Sequence, residues 1–258
     1  MPTPFRLRRS SVPVLLALFS LSSLHTAAFA APTVVEAGKP LARFALLKES
    51  THHYLRFMKS GEASTPADIW TRTVRFEQGA VHITQRWDGA GPTPTLRTID
   101  SWFDMDTLRP RSHQTVAQRD GKKVVEGFLF APDKITGMPD LADNAKKDLT
   151  IASPEGTFNF EIDNETLQTL PLAPGYEASI NFYHPGGAAA PQRYVFKVTG
   201  SATIAGPAGP VDCWVVTTDY NHPEMPVATF WFAKGTQLMV RQEGKLPDGR
   251  TLVKALID

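Results

Sequence analysis

"WFDMDTLRPR", Trp102 to Arg111, and "WFAKGTQLMVR", Trp231 to Arg241, state one pattern twice: Trp-Phe, three residues, Thr, then an arginine-bearing run. Each is followed by an Asp-Gly pair, Asp120-Gly121 and Asp248-Gly249. Asp-Gly favours the positive φ that tight hairpins require. Trp-Phe therefore reads as the end of one strand, "DMD" or "AKG" as a turn, and the next run as a strand leading to Asp-Gly. A further strand then returns. The repeat predicts a three-strand antiparallel meander used once in each half of the chain. Adjacent Trp and Phe point to opposite faces of a sheet, so one ring of each pair enters the core.

Outward from the repeat, short runs of alternating apolar and polar residues are broken by Gly, Pro, Asn and Asp. In "IWTRTVRF" Trp70, Val74 and Phe76 share a face with Arg72; in "VHITQRW" Val81, Ile83 and Trp87 oppose His82, Thr84 and Arg86. Gly79 between them reads as a hairpin turn. "TIDSWFD", "RSHQTVAQ", "KKVVEGFLFA", "RYVFKVTG", "VDCWVVTTDY" and "RTLVKALI" continue the style. Turns at such short intervals mark an all-β chain. The predicted fold is a strongly curved antiparallel sheet, a half-barrel or a lipocalin-like barrel, with two related halves near 50–135 and 176–258. "DNETLQTL", Asp163 to Leu170, is the exception: an Asx cap followed by Leu167 and Leu170 predicts one short helix, stopped by Pro171. Residues 31–258 are expected to form a single β-rich domain.

The first thirty residues read as an export signal. Arg6, Arg8 and Arg9 precede the apolar "VPVLLALFSLSSL", and "AFA" at Ala28 to Ala30 supplies a small-x-small cleavage pattern. The apolar stretch is short of the roughly 20 residues of a membrane span, so a periplasmic protein without a membrane span after signal removal is expected. Without those three arginines, 24 basic residues stand against 26 acidic ones. That balance gives no general attraction for nucleic acid. Arginines between Arg56 and Arg119 are interleaved with Asp and Glu, which reads as a solvated mixed-charge face. The single cysteine, Cys213, lies in the apolar run "VDCWVV" and reads as a buried thiol.

"LQTLPLAPGYEASINFY", "YVFKVTGSATI", "GPVDCWVVTT" and "TFWFAKGTQLMVRQE", with the N-terminal "THHYLRF", "DIWTRTVRFE" and "SWFDMDTLRP", resemble an uncharacterised family of exported bacterial proteins. The resemblance implies a curved antiparallel sheet similar to periplasmic lipoprotein carriers. It carries over no catalytic residue.

The residues themselves supply little chemistry. The histidines show no His-x-x-x-His or Cys-paired pattern, so no metal site is expected and they read as scattered surface residues. There is no Gly-x-Ser-x-Gly elbow and no free-amide phosphate loop, and no cofactor is called for. What remains is aromatic content. The leading reading is a non-enzymatic envelope protein that binds an apolar or amphipathic molecule, or a protein partner, in its curved sheet. Trp102, Leu167, Leu170, Tyr176 and Trp231 are the expected contacts, with the 163–176 segment as cover. The alternatives are an envelope hydrolase with a site assembled from separate strands, and a structural accessory protein without a ligand.

Overall fold

A computed structural model describes Met1 and residues 31–91, 95–119, 121–224 and 226–258. The signal-like segment and Asp120 of the first Asp-Gly pair lie outside those residues. The first half of the sheet comprises β1 (Thr33–Val35), β2 (Ser50–Ser60), β3 (Ala63–Glu77), β4 (Ala80–Gly89), β5 (Leu96–Asp104), β6 (Pro110–Arg119), β7 (Lys122–Phe130), β8 (Lys134–Gly137) and β9 (Thr150–Ala152). After β10 (Phe158–Asn159) and a 3₁₀ turn at Phe160–Ile162 comes the helix α1 (Asp163–Gln168). The second half follows: β11 (Glu177–Tyr183), β12 (Gln192–Gly206), β13 (Gly209–Thr218), β14 (Ala228–Ala233), β15 (Met239–Lys245) and β16 (Thr251–Leu256).

All sixteen strands belong to one sheet, antiparallel except where β1 and β10 pair with β11. Its order is β1-β11-β12-β13-β14-β15-β16-β2-β3-β4-β5-β6-β7-β8-β9, so the sheet does not close. Consecutive strands are neighbours almost throughout, as expected for hairpin-linked strands. The pairing most distant in sequence is the seam where β16 meets β2, Leu256 opposite Tyr54 and Lys254 opposite Arg56. Gln78 and Gly79, with φ of 53° and 69°, make the two-residue turn of the β3–β4 hairpin.

The repeated motif has a defined conformation. Asp104 N–H donates to Arg109 O at 2.9 Å, and Ala233 N–H to Leu238 O at 2.9 Å. Thr107 Oγ1 accepts from Arg109 N–H at 3.2 Å; Thr236 Oγ1 accepts from Leu238 N–H at 3.2 Å. The residue after each threonine, Leu108 or Gln237, is fully buried with φ near +50° (49° and 52°). In both copies the strand register shifts between the Trp and the Phe. The threonine recurs because its hydroxyl holds a bulged turn. Phe103 and Phe232 are wholly buried, while Trp102 and Trp231 alternate to the other face.

The concave face carries the core, built from Trp70, Ile83, Phe103, Phe182, Phe196 and Phe230 among others. α1 lies within it. Every residue from Asp163 to Leu170 is buried, with Leu167 at 0% exposure. The helix starts differently from the sequence expectation. Asn159, not Asp163, supplies the side-chain cap, accepting from Glu161 N–H at 2.9 Å and opening the 3₁₀ turn. At the other end, Gln237 Nε2 donates to Gln168 O at 2.6 Å and Leu170 O at 2.7 Å. The second copy of the motif thus closes the C-terminus of α1. The segment before β2 ties this end to the first copy's turn, with Arg43 N–H on Thr169 O and Leu41 N–H on Asp106 O, both at 2.8 Å.

Candidate functional site

The arginines correct the sequence reading. Arg72 shares the inner face with Trp70 and is 3% exposed; Arg56 and Arg97 face the same side and are partly buried. The first turns of the helical segment supply the partners of Arg72 and Arg97, and β3 that of Arg56. Arg72 holds Glu165, with Nε on Oε1 at 2.8 Å and a second bond from Nη2 to Oε2. Arg97 holds Glu161 at 2.7 Å, and Arg56 holds Asp68 at 2.9 Å. Gln85 ties the group together. Its Oε1 accepts from Trp70 Nε1 (3.1 Å) and Arg72 Nη1 (2.9 Å), and its Nε2 donates to Glu161 O (2.7 Å). The guanidinium of Arg72 lies 4.3 Å from the Trp70 ring centroid and that of Arg97 4.6 Å from Trp87. Buried charges of this kind require both pairing and hydrogen bonds.

One cation and one carboxylate stand apart from these pairs. Lys254 Nζ lies 4.8 Å from the Trp70 centroid and enters no ion pair among the described residues. Asp163, 5% exposed, accepts only from the adjacent Asn164 N–H at 2.8 Å. Burial pushes Lys254 down to about 8, with Asp163 opposing and Arg56 and Arg72 adding to the fall. Burial pushes Asp163 up to about 6, although Lys254 and Arg72 pull it down.

Lys254 sits in a row that crosses the concave face from apolar to charged. Val216 pairs with Phe230, Phe230 with Gln242, Gln242 with Lys254, Lys254 with Arg56, and Arg56 with Asp68. Above this row opens a cleft of about 620 Å³ between the β13–β14 connection and the β15–β16 hairpin. Tyr220, Ala228, Gln242, Leu246, Leu252 and Lys254 line it. Tyr220 also packs against the core, and burial, with Asp163 nearby, holds its hydroxyl well above the usual phenol range. The cleft therefore combines apolar walls, a protonated phenol and the amines of Lys245 and Lys254, with Asp219, His222 and Glu224 also on its lining. That arrangement accommodates a molecule with an apolar body and an acidic group.

The expected contact residues do not converge. Leu167 is sealed within the core. Leu170 and Tyr176 border a separate cleft of about 480 Å³ beside β1. Trp102 lies on the convex face, stacked on His82 at 4.1 Å and donating to Asp100 at 3.0 Å. Trp231 is also on that face. The two tryptophans thus stand away from Leu167 and Leu170 because alternation gives the core to the neighbouring phenylalanines.

His113 corrects the expectation of surface histidines. It is fully buried, accepting at Nδ1 from Ser101 Oγ (2.9 Å) and Asn159 Nδ2 (3.0 Å), with Thr115 Oγ1 3.0 Å from Nε2. Burial lowers it to about 4, so it stays neutral. This Ser-His pair has no carboxylate on the imidazole and no exposure to a substrate. It joins β5, β6 and β10 instead. Among the described residues no group of three His, Cys, Asp or Glu side chains is placed to hold a metal, and no helix is long and apolar enough to cross a membrane. Cys213 is buried, and burial raises its thiol to about 11.

Asp163→Asn tests the electrostatics of this region. Because the folded pKa of about 6 exceeds the unfolded 3.8, the folded chain gains stability from protonation as pH falls through that window. Above it, the ionised carboxylate opposes folding. The variant is expected to exceed the parent by about 3 kcal/mol at pH 7.5, the advantage vanishing near pH 4. Urea unfolding at both pH values checks it; a variant less stable at pH 7.5 contradicts it.

A sequence-family model described as "Protein of unknown function (DUF3108)" matches residues 53–257. No curated protein matches significantly. Among solved structures, the chain is similar to a "Beta-barrel-like Protein of Domain of Unknown Function DUF1849 from Brucella abortus", with 12% identity and a TM-score of 0.51 over 81% of this chain and 95% of that one. A DUF1329 family protein from Desulfovibrio piger ATCC 29098 is similar at 10% identity with a TM-score of 0.33, over 82% of this chain and 85% of that one. At these identities the first likeness concerns the fold alone.

Proposed function

We propose a function for this chain, which belongs to the DUF3108 family of proteins of unknown function: it is an exported, non-catalytic binding protein that holds an amphipathic molecule in the cleft above Lys254. The acidic group of the ligand pairs with the Lys254 amine, and its apolar body lies along Ala228, Leu246 and Leu252. The observation that carries this reading is the Lys254 amine, which enters no ion pair among the described residues, in a cleft of about 620 Å³ whose lining is largely apolar. A cation withdrawn from water gains most from an anion that arrives with its own apolar cover. Export is supported by the arginine-led apolar stretch ending in "AFA".

The test compares cis-parinaric acid with its methyl ester by fluorescence titration of the detergent-free protein. The acid is expected to bind about tenfold or more tightly than the ester, the scale of a charge-assisted hydrogen bond. Lys254→Met should remove that preference while leaving ester binding unchanged. Because Lys254 loses its proton as pH rises through about 8, the preference should also fade above that pH. Equal binding of acid and ester by the parent protein at pH 7 overturns the proposal.

A further inference from the structure

In the cleft above Lys254, Tyr220 takes a left-handed backbone with φ of 51°, and Asn221 follows it at 60°. A bulky side chain stays in that region only when its surroundings enforce it. Here Thr218 Oγ1 accepts from Tyr220 N–H at 3.2 Å, Asp219 Oδ1 accepts from Asn221 N–H at 2.9 Å, and Asn221 Nδ2 donates to Arg193 O at 3.0 Å. The Tyr220 ring is then gripped edge-on by Phe160, Tyr194 and Phe196, with centroids 5.6, 5.7 and 6.2 Å away. Its hydroxyl is the part left uncommitted. Tyr54 and Tyr183 donate theirs to Met239 O and Gly187 O, both at 2.9 Å. That of Tyr220 is not sealed from solvent and has no hydrogen-bond partner among the described residues. The strained turn thus fixes an open donor in the same cleft as an amine that enters no ion pair.

We infer that the molecule held in this cleft is a long-chain monocarboxylate, with one carboxylate oxygen on the Lys254 ammonium and the other accepting from Tyr220 O–H. The inference rests on the binding role proposed for the cleft and adds the chemistry of the head group. Two donors match the two oxygens of a carboxylate. The surrounding charges limit the ligand to one negative charge. Asp163 acts on both Tyr220 and Lys254, and Asp219 and Glu224 stand on the lining. Lys245 is the other lysine there, but it is exposed and opposite Thr251, three residues along β16 from Lys254. At about 3.4 Å per residue that is roughly 10 Å away, beyond the reach of the same head group. A phosphate monoester, which carries close to two charges, therefore meets one buried cation among carboxylates.

The experiment titrates the full-length protein and Tyr220→Phe with cis-parinaric acid and its methyl ester at pH 7. Tyr220→Phe keeps the ring and removes only the hydroxyl. Acid binding should weaken about tenfold, the loss expected for one hydrogen bond to a charged group, and ester binding by no more than about threefold. The Tm should be unchanged, because the hydroxyl has no partner within the protein. In a second arm, laurate should displace bound cis-parinaric acid from the parent at about tenfold lower concentration than dodecyl phosphate. A parent that prefers acid over ester while Tyr220→Phe binds the acid equally well overturns the role of the hydroxyl. Equal displacement by dodecyl phosphate overturns the limit to one charge, and a lower Tm shows the hydroxyl already bonded. Equal binding of acid and ester by the parent removes the pairing with Lys254 itself, and this inference with it.

Discussion

Leu167→Asp is expected to abolish the cooperatively folded state. The side chain is completely buried among the core residues of the concave face, so the change removes a packed isobutyl group and puts a carboxylate in its place. The packing loss alone is about 2–5 kcal/mol. An unpaired buried carboxyl adds several more, and the sum rivals the roughly 5–15 kcal/mol of a whole domain. Leu167→Met, which conserves volume, should cost less than about 1.5 kcal/mol. Thermal unfolding followed by near-ultraviolet circular dichroism checks both. A native-like transition for Leu167→Asp would show that α1 swings away from the sheet as a cover. The burial of all its residues argues that it is instead the filling of the concavity.

Arg72→Met carries the second large effect. Deleting the guanidinium leaves Glu165 buried with no cation beside it and takes one of the two donors from Gln85 Oε1. Removing one member of a buried pair costs about 3–5 kcal/mol. In a domain of this length that lowers Tm by roughly 10 °C. The double change Arg72→Met with Glu165→Leu should recover much of the loss, because a buried pair can often be replaced by apolar residues without net penalty. Differential scanning calorimetry of the parent, the single and the double variant gives the answer. A double variant no more stable than the single one would show that hydrogen bonds to Gln85 and Glu161, rather than the orphaned charge, dominate.

These two sites also mark how far the residues alone could be read. Strand positions follow from alternation, and the two Trp-Phe motifs announce the matching turns because their threonine and the residue after it have local conformational work to do. The helix at Asp163 stands out for the same local reason. Arg72 was legible in part: its parity with Trp70 and Val74 already puts it on the inner face. What parity cannot supply is the partner, since Glu165 arrives from the far side of seven intervening strands. A mixed-charge run therefore looks solvated when its counter-charges are distant in sequence. His113 fails in part for the same reason: Ser101 faces it across the β5–β6 hairpin, but Asn159 comes from β10, 46 residues on. The Trp-Phe pairs present a different ambiguity. Alternation says that one ring faces inward but leaves the choice to packing, and the phenylalanines take the interior in both copies. The cleft above Lys254 depends on the β16–β2 seam and on a loop between β13 and β14, neither of which leaves a periodic trace.

That seam governs how the molecule can be made. Tyr54 finds Leu256, and Thr251 finds Lys59, only after the roughly 200 residues between them have been synthesised. Hairpins such as β3–β4 can form early from neighbouring residues, but the central ladder closes the largest loop in the protein, and closure of that kind slows the search for the native state. A nascent chain lacking β16 presents two open edges, β2 and β15, both rich in unpaired backbone groups and prone to pair with other chains. This strand is thus a timer: until it arrives β2 and β15 stay unpaired on that side, and a premature stop within it would release a protein whose most central strands have become its margins.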